Sequence, residues 1–202
     1  MAKQQRDYAA ALKFYDGFPK EGINFVDIMP FIQDKRLLKD LAKDLGSLCA
    51  SPNIAAPEAR GFLFAGPMMT ECRKIQSIIP LRKKGKLPFT EGDLVNVDIV
   101  KEYGNDTINY RLSDIAACKV NRLRKTIGVT FFDDVLATGG TAKGIIESLN
   151  AQTVEIDGKT YKVKVTDMVF MVELEDLKGR EALEEIAPVK SLIKLSQLRL
   201  NY

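Results

Sequence analysis

The sequence predicts an α/β fold in which a mainly parallel sheet is flanked by helices, formed as a single domain over residues 1–202. Three observations predict it. Short apolar, β-branched runs alternate along the chain with stretches of helical periodicity. Two of the runs, residues 126–132 and 163–172, are almost unbroken in apolar character, the pattern of strands buried on both faces. A chain of 202 residues, 46% of them hydrophobic, fills one sizeable core and would cramp a second full domain.

Taken in order, residues 8–14 read as a short helix, followed by the Gly- and Pro-punctuated segment Asp16-Gly17-Phe18-Pro19-Lys20-Glu21-Gly22. Residues 34–49 form an amphipathic helix. Leu37, Leu38, Leu41, Ala42, Leu45 and Leu48 share one face, and Lys39, Asp40, Lys43 and Asp44 the other. A strand at 53–56, a helix within 62–75 and a strand at 77–81 come next. The alternating runs 95–100 and 107–112 predict a β-hairpin joined by Gly104-Asn105-Asp106. The buried strand at 126–132 leads to a helix at 140–150. Ile156-Asp157-Gly158-Lys159 marks a second hairpin, over 153–161, ahead of the strand at 163–172.

Composition prunes the chemistry. Thirty basic residues against 27 acidic give a net charge of +3, too balanced for a dedicated nucleic-acid or membrane surface. With no histidine in the chain, Ser–His and Cys–His catalysis and imidazole-based zinc sites are excluded. Acid–base work falls to carboxylates, lysine or tyrosine, and any metal is a hard cation held by oxygen. The three cysteines are odd in number and widely spaced, which suits a reducing compartment. The N-terminus lacks the apolar core of a signal peptide, and no apolar run approaches the length of a membrane span. The expectation is a soluble, cytoplasmic protein.

One segment carries chemistry by itself. The strand at 126–132 runs into Asp133-Asp134-Val135-Leu136-Ala137-Thr138-Gly139-Gly140-Thr141-Ala142 and then a helix. Ligands of open α/β sheets bind beyond the carboxyl ends of strands. Gly139 and Gly140 let backbone amides close around an oxyanion, and the helix start adds unpaired N–H groups and a positive dipole end. Thr138 and Thr141 offer hydroxyls. Asp133 and Asp134 would repel a phosphate and suit sugar hydroxyls, or a cation that the ligand brings. The plainer alternative is a strand terminus followed by a capping turn, and the full combination outweighs it. Gly61-Phe62-Leu63-Phe64-Ala65-Gly66 begins like a P-loop, but Pro67 stands where the lysine is required, and no GxGxxG occurs.

Residues 133–142 resemble the phosphoribosyl pyrophosphate (PRPP) loop of type I phosphoribosyltransferases, in the form found in those acting on adenine. Other segments agree in order. Gly17-Phe18-Pro19-Lys20-Glu21-Gly22-Ile23-Asn24-Phe25-Val26-Asp27-Ile28 is similar to that family's base-recognition segment, and Ala59-Arg60-Gly61-Phe62-Leu63-Phe64 to its pyrophosphate segment. Arg82-Lys83-Lys84-Gly85-Lys86-Leu87-Pro88, Glu102-Tyr103-Gly104, and Val172-Glu173-Leu174 with Leu177-Lys178-Gly179-Arg180-Glu181 also match. The likeness runs over nearly the whole chain.

The resemblance implies a small N-terminal hood over about residues 1–33, a flexible β-hairpin lid over 82–106, and an inserted hairpin at 153–161. It implies transfer of the phosphoribosyl group from PRPP to adenine, giving AMP and pyrophosphate, by a homodimer that uses Mg²⁺ carried mainly by PRPP and no metal held directly by protein. In this scheme Asp133 and Asp134 bind the ribose hydroxyls, while Ala137, Thr138, Gly139, Gly140 and Thr141 hold the 5′-phosphate. Arg60 contacts pyrophosphate, and Arg82 reaches PRPP, often across a dimer interface, with Lys86 nearby. Phe25 stacks on adenine, main-chain groups of Asn24 and Val26 read its edge, and Glu102 serves purine N7 as general acid or base. Asn24 departs from the small apolar residue usual there, and the stretch from Pro88 to Glu102 is a few residues longer than usual.

Without the resemblance, Arg60 reads as a surface ion-pair partner, 82–86 as a solvated charge run, Glu102 and Tyr103 as a hairpin pair, and Phe25 as core. Two other functions remain open at this point. One is transfer to hypoxanthine, guanine or xanthine. The other is a PRPP-sensing regulator that contacts nucleic acid through residues 82–86 and 121–125.

Overall fold

A computed structural model describes residues 7–18, 20–21, 24–101 and 104–196. The chain begins with a 3₁₀ turn, Ala9–Ala11, and strand β1 (Lys13–Asp16), which pairs antiparallel with β2 (Asn24–Asp27). The single helix expected over 8–14 is therefore a turn followed by a strand. Phe14 pairs with Val26 across the two-stranded sheet, and that tertiary pairing overrides the local helical pattern.

Helix α1 (Pro30–Gln33) and α2 (Lys35–Leu48) follow. Asp34 caps α2, its carboxylate accepting from the backbone N–H of Arg36 at 2.8 Å and of Leu37 at 3.0 Å. The apolar face of α2 buries Leu41, Ala42 and Leu45, as its periodicity predicts. Next come β3 (Asn53–Pro57), α3 (Arg60–Glu71) and β4 (Ser77–Lys83).

Strands β5 (Leu94–Lys101) and β6 (Gly104–Arg111) form the first hairpin, with α4 (Leu112–Ala116) behind it. Lys101 pairs with Gly104 and Ile99 with Asp106, so Gly104, Asn105 and Asp106 belong to a strand rather than to the turn. Strand β7 (Thr126–Leu136), α5 (Gly140–Asn150), β8 (Thr153–Ile156), β9 (Lys159–Leu174), a 3₁₀ turn at Glu175–Leu177, α6 (Gly179–Glu184) and β10 (Val189–Leu195) complete the fold. The β8–β9 hairpin turns where expected, with positive φ at both Asp157 (51°) and Gly158 (69°).

The eight-stranded sheet runs β10-β9-β7-β3-β4-β6-β5, with β8 paired to β9. The five strands from β10 to β4 are parallel, and β6 and β5 extend the sheet antiparallel. Successive residues of β7 and β9 alternate between two cores. Val129, Phe131, Val165, Met168 and Phe170 pack under Ile145, Ile146 and Leu149 of α5. Phe132, Val169 and Met171 face Leu41, Leu45, Phe64 and Met68 of α2 and α3. Helices thus cover both faces, which is why these strands lack a polar side.

From β3 the chain passes to β4 on one side, then returns to β7 on the other. The carboxyl ends of β3 and β7 therefore diverge at a topological switch point, where an open α/β sheet leaves a crevice.

Candidate active site

Two segments leave the sheet at that crevice. Pro57 ends β3, the Glu58–Ala59 peptide is cis, and α3 opens at Arg60. Leu136 ends β7, and α5 opens at Gly140. Among the described residues no side chain caps either helix start, at Ala59 or at Gly139. Each start presents unpaired N–H groups and a positive dipole end to the same crevice, a setting that favours anions.

The turn into α5 depends on Gly139, whose φ of 79° lies in the left-handed region and which is buried. Gly140 is helical and open, with no atom within 4 Å of where a Cβ would stand. Its lack of a side chain leaves this side of the helix start open, whereas Gly139 is required by the turn. Thr138 is exposed, and Ala137 and Thr141 are half-buried.

Asp133 and Asp134 stand near the end of β7. Asp134 is 4% exposed, and Arg60 Nε lies 2.8 Å from its Oδ2. The contact is an ion pair without hydrogen-bond alignment, because this buried oxygen has no hydrogen-bond partner. The backbone N–H of Asp134 donates to Asp133 Oδ1 at 2.9 Å. Asp133 keeps partial solvent contact as a residue, yet its carboxyl is withdrawn from water. That withdrawal, with the Asp134 charge beside it, holds Asp133 well above the usual aspartate range.

Arg60 also joins the N-terminal sheet to the crevice, its guanidinium carbon lying 5.7 Å from the Phe25 ring centroid. Phe18 meets Phe25 edge-on at 5.2 Å. Val26 is buried in the core, so its side chain is unavailable and only its main chain remains for a ligand. Asn24 is half-buried, and its Oδ1 is a buried acceptor with no hydrogen-bond partner.

Arg82 is turned elsewhere. Its Nε donates to Glu58 Oε2 at 2.6 Å, and its guanidinium lies 5.9 Å from the Phe62 centroid. Glu58 also accepts from the Lys83 backbone N–H at 2.7 Å. Partial burial opposes the Glu58 charge, but Lys83, Arg82 and the nearby Lys86 outweigh it and keep the carboxyl below its usual range. Arg82 is thus engaged within its own chain. Lys86 is exposed in the turn after β4. Glu102, with Tyr103, lies outside the described residues. Strand β5, which ends at Lys101, runs past α5, Ile99 Cγ1 lying 3.9 Å from where a Cβ on Gly144 would stand.

The structure therefore gathers Asp133, Asp134, Arg60, Phe25 and the loop from Ala137 to Thr141, and sets Arg82 and Lys86 around Glu58. Sequence reasoning missed Glu58, Phe62 and Phe18 as partners. Gly179, within the matched motif at 177–181, packs against the turn into α5, its carbonyl oxygen 3.0 Å from where a Cβ on Gly139 would stand. Glu58 carried no signal, since nothing local marks a carboxylate that a strand neighbour will engage.

A switch-point crevice with paired aspartates running into a glycine turn, on this sheet order, defines the type I phosphoribosyltransferase-like fold. Scanned against models of protein families, the sequence matches none. Individual relatives are clear. An adenine phosphoribosyltransferase of Clostridium acetobutylicum is 37% identical over 191 residues, covering 93% of this chain and 98% of the relative. One from Acetivibrio thermocellus is 36% identical, covering 88% and 94%. The crystal structure of the Thermoanaerobacter pseudethanolicus enzyme superposes with a TM-score of 0.71 at 31% identity, over 93% of this chain and 97% of that one. The Saccharomyces cerevisiae enzyme, solved with D-2,5-dideoxy-2,5-imino-altritol 1,6-bisphosphate and adenine, superposes with a TM-score of 0.68 at 29% identity, over 91% and 95%. The chain belongs to the adenine phosphoribosyltransferase family.

Proposed function

We propose that this protein transfers the 5-phosphoribosyl group of PRPP to N9 of adenine, forming AMP and pyrophosphate in purine salvage. The observation that carries the reading is the Arg60–Asp134 junction between two uncapped helix starts. It offers two anion sites with a sugar-hydroxyl acceptor between them. The 5′-phosphate takes the start of α5, held by Ala137, Thr138, Gly139, Gly140 and Thr141. The pyrophosphate takes the start of α3 and Arg60. Ribose hydroxyls between them donate to Asp133 and to the unmet Asp134 Oδ2.

Adenine stacks on Phe25, and the main chain of Asn24 and Val26 reads its edge. Strand β2 is paired by β1 on one side only, so an edge of its backbone stays available. Arg82 and Lys86 reach the pyrophosphate once Arg82 exchanges Glu58 for it. Glu102, as a protonated acid, hydrogen-bonds N7 while N9 bonds to the anomeric carbon as its bond to pyrophosphate breaks, and the N9 proton passes to water or to the departing pyrophosphate. Bond breaking at the anomeric carbon develops oxocarbenium character, so the chain mainly positions two substrates and stabilises charge. Within the lid over residues 82–106, the largely exposed segment 84–93 closes over them and keeps water from PRPP, while β5 and β6 stay in the sheet.

Mg²⁺ fits this site as a passenger of PRPP. Asp133 and Asp134 supply the oxygen donors that a hard cation takes, but two carboxylates do not make a cage, so pyrophosphate oxygens carry most of the coordination. When bound, the cation would supply charge neutralisation at the leaving pyrophosphate. A cytoplasmic homodimer completes the proposal. Leu63 and Met69 leave apolar surface on α3 for a second copy, and Cys49, Cys72 and Cys118 are free thiols.

The test is incubation with PRPP, Mg²⁺ and a panel of adenine, hypoxanthine, guanine and xanthine, measuring pyrophosphate release. Release with adenine alone is expected. Release with an oxopurine in preference to adenine overturns the base assignment.

A further inference from the structure

The phosphate turn does not stand alone: the start of α6 is wedged against it. A Cβ on Gly179 would collide with the Ala137 carbonyl oxygen and lie 2.8 Å from Leu136 Cδ1. A Cβ on Gly139 would in turn lie 3.0 Å from the Gly179 carbonyl oxygen and 3.2 Å from Leu183 Cγ. The two backbones touch because neither glycine has a side chain, so the shape of the turn depends on where Gly179 is held.

Arg180, the next residue, does the holding. Its Nε and Nη2 fork onto Glu173 Oε1 and Oε2 at 2.8 and 2.5 Å. Its Nη1 donates to the Val189 carbonyl oxygen and to Glu184 Oε1, both at 2.7 Å. Glu173 is 3% exposed and sits near the end of β9, in register with Leu136 of β7 and Lys194 of β10. One side chain therefore ties α6 to the strand ends from which the phosphate turn departs. A planar guanidinium in a two-pronged contact fixes orientation as well as distance, which an ammonium cannot do.

We propose that Arg180 and Glu173 are positioning residues for the 5′-phosphate. Through Gly179 they brace the Ala137–Gly139 turn, so that its N–H groups are shaped before PRPP arrives. This rests on the reading of residues 137–141 as the phosphate loop. The pair touches no substrate in this scheme, and its loss acts on PRPP rather than on adenine.

The test compares Arg180→Lys, Glu173→Gln and Gly179→Ala with the wild type for kcat, KM for PRPP, KM for adenine and Tm. Each variant should raise KM for PRPP about tenfold or more while leaving KM for adenine within about twofold, because only preformed phosphate binding is lost. Arg180→Met should fare worse than Arg180→Lys, which keeps the charge and N–H donors on a single nitrogen. If Arg180→Lys fails to fold, Glu173→Gln, which keeps shape and an acceptor, carries the same expectation.

Gly139→Val serves as the control for the loop itself. If it loses PRPP binding while Arg180→Lys and Gly179→Ala match the wild type, the bracing role is overturned and the loop reading stands. If Gly139→Val binds PRPP as the wild type does, the loop reading fails and the bracing role fails with it. A parallel rise of both KM values together with a fall in Tm also overturns the proposal, since it marks a merely structural pair.

Discussion

Arg60 Nε lies 2.8 Å from Asp134 Oδ2, so the start of α3 and the end of β7 are joined across the switch point by one ion pair whose acceptor oxygen is buried. Its partners belong to two different proposed subsites, pyrophosphate and ribose. Arg60→Ala should reduce kcat/KM for PRPP by ~10²-fold or more, because charge stabilisation at the leaving group goes with it. It also strands a buried carboxylate, at a cost of about 1–3 kcal/mol tempered by the exposure of Arg60. The double variant Arg60→Ala/Asp134→Asn should recover Tm and leave activity low. Thermal melts beside PRPP kinetics check both halves, and recovery of activity in the double variant would sink the assignment.

Gly139 and Gly140 should separate in their behaviour. Gly139→Val forces a β-branched residue into left-handed φ against α6, so both stability and PRPP binding should fall. Gly140→Ala adds a methyl in open space at a helix start. It should leave Tm unchanged or slightly raised while weakening PRPP binding, since only the ligand would meet that methyl. Titration with PRPP alongside melts distinguishes the two.

Glu102→Gln should lower kcat by ~10²-fold or more with little change in KM for PRPP. Single-turnover measurement of AMP formation isolates the chemical step. Wild-type turnover removes Glu102 from the mechanism.

Asp133 makes stability fall as pH rises. Its pKa in the folded chain is raised by burial and by Asp134, so the folded state holds a proton that the unfolded chain has released. Between the ordinary aspartate value and the raised one, unfolding loses free-energy cost with increasing pH. Asp133→Asn should therefore raise Tm at pH 7 and change it little at about pH 3.5, where unfolded aspartate is largely protonated. Each ~1 kcal/mol of relief corresponds to roughly 2–4 °C in a domain of this size. KM for PRPP should rise in the same variant, a stability gain at the expense of the ribose contact. Melting curves across this pH range, with a Tm gain independent of pH, would contradict the account.

Much of this was legible in the chain itself. The helix at 35–48, the strands at 53–57 and 77–83, the turn at Asp157-Gly158 and the glycine turn from Ala137 to Thr141 are written in short-range pattern, where periodicity, caps and glycine placement act within a few residues. By contrast, β7 runs past the strand end expected at 132 to Leu136, because Asp133, Val135 and Leu136 stay paired with β9. Two central strands announced their burial because both faces of β7 and β9 are covered. The segment at 8–14 misled because its local pattern is helical, while pairing of Phe14 with Val26 makes much of it strand. Only the tertiary structure decided that Arg60 would meet Asp134 and Phe25, that Arg82 would be held by Glu58, and that Gly179 would lie under Ala137. Those contacts depend on which strands become neighbours. Strand order is settled by packing of whole faces and closure of long loops, and no local stretch of residues encodes it.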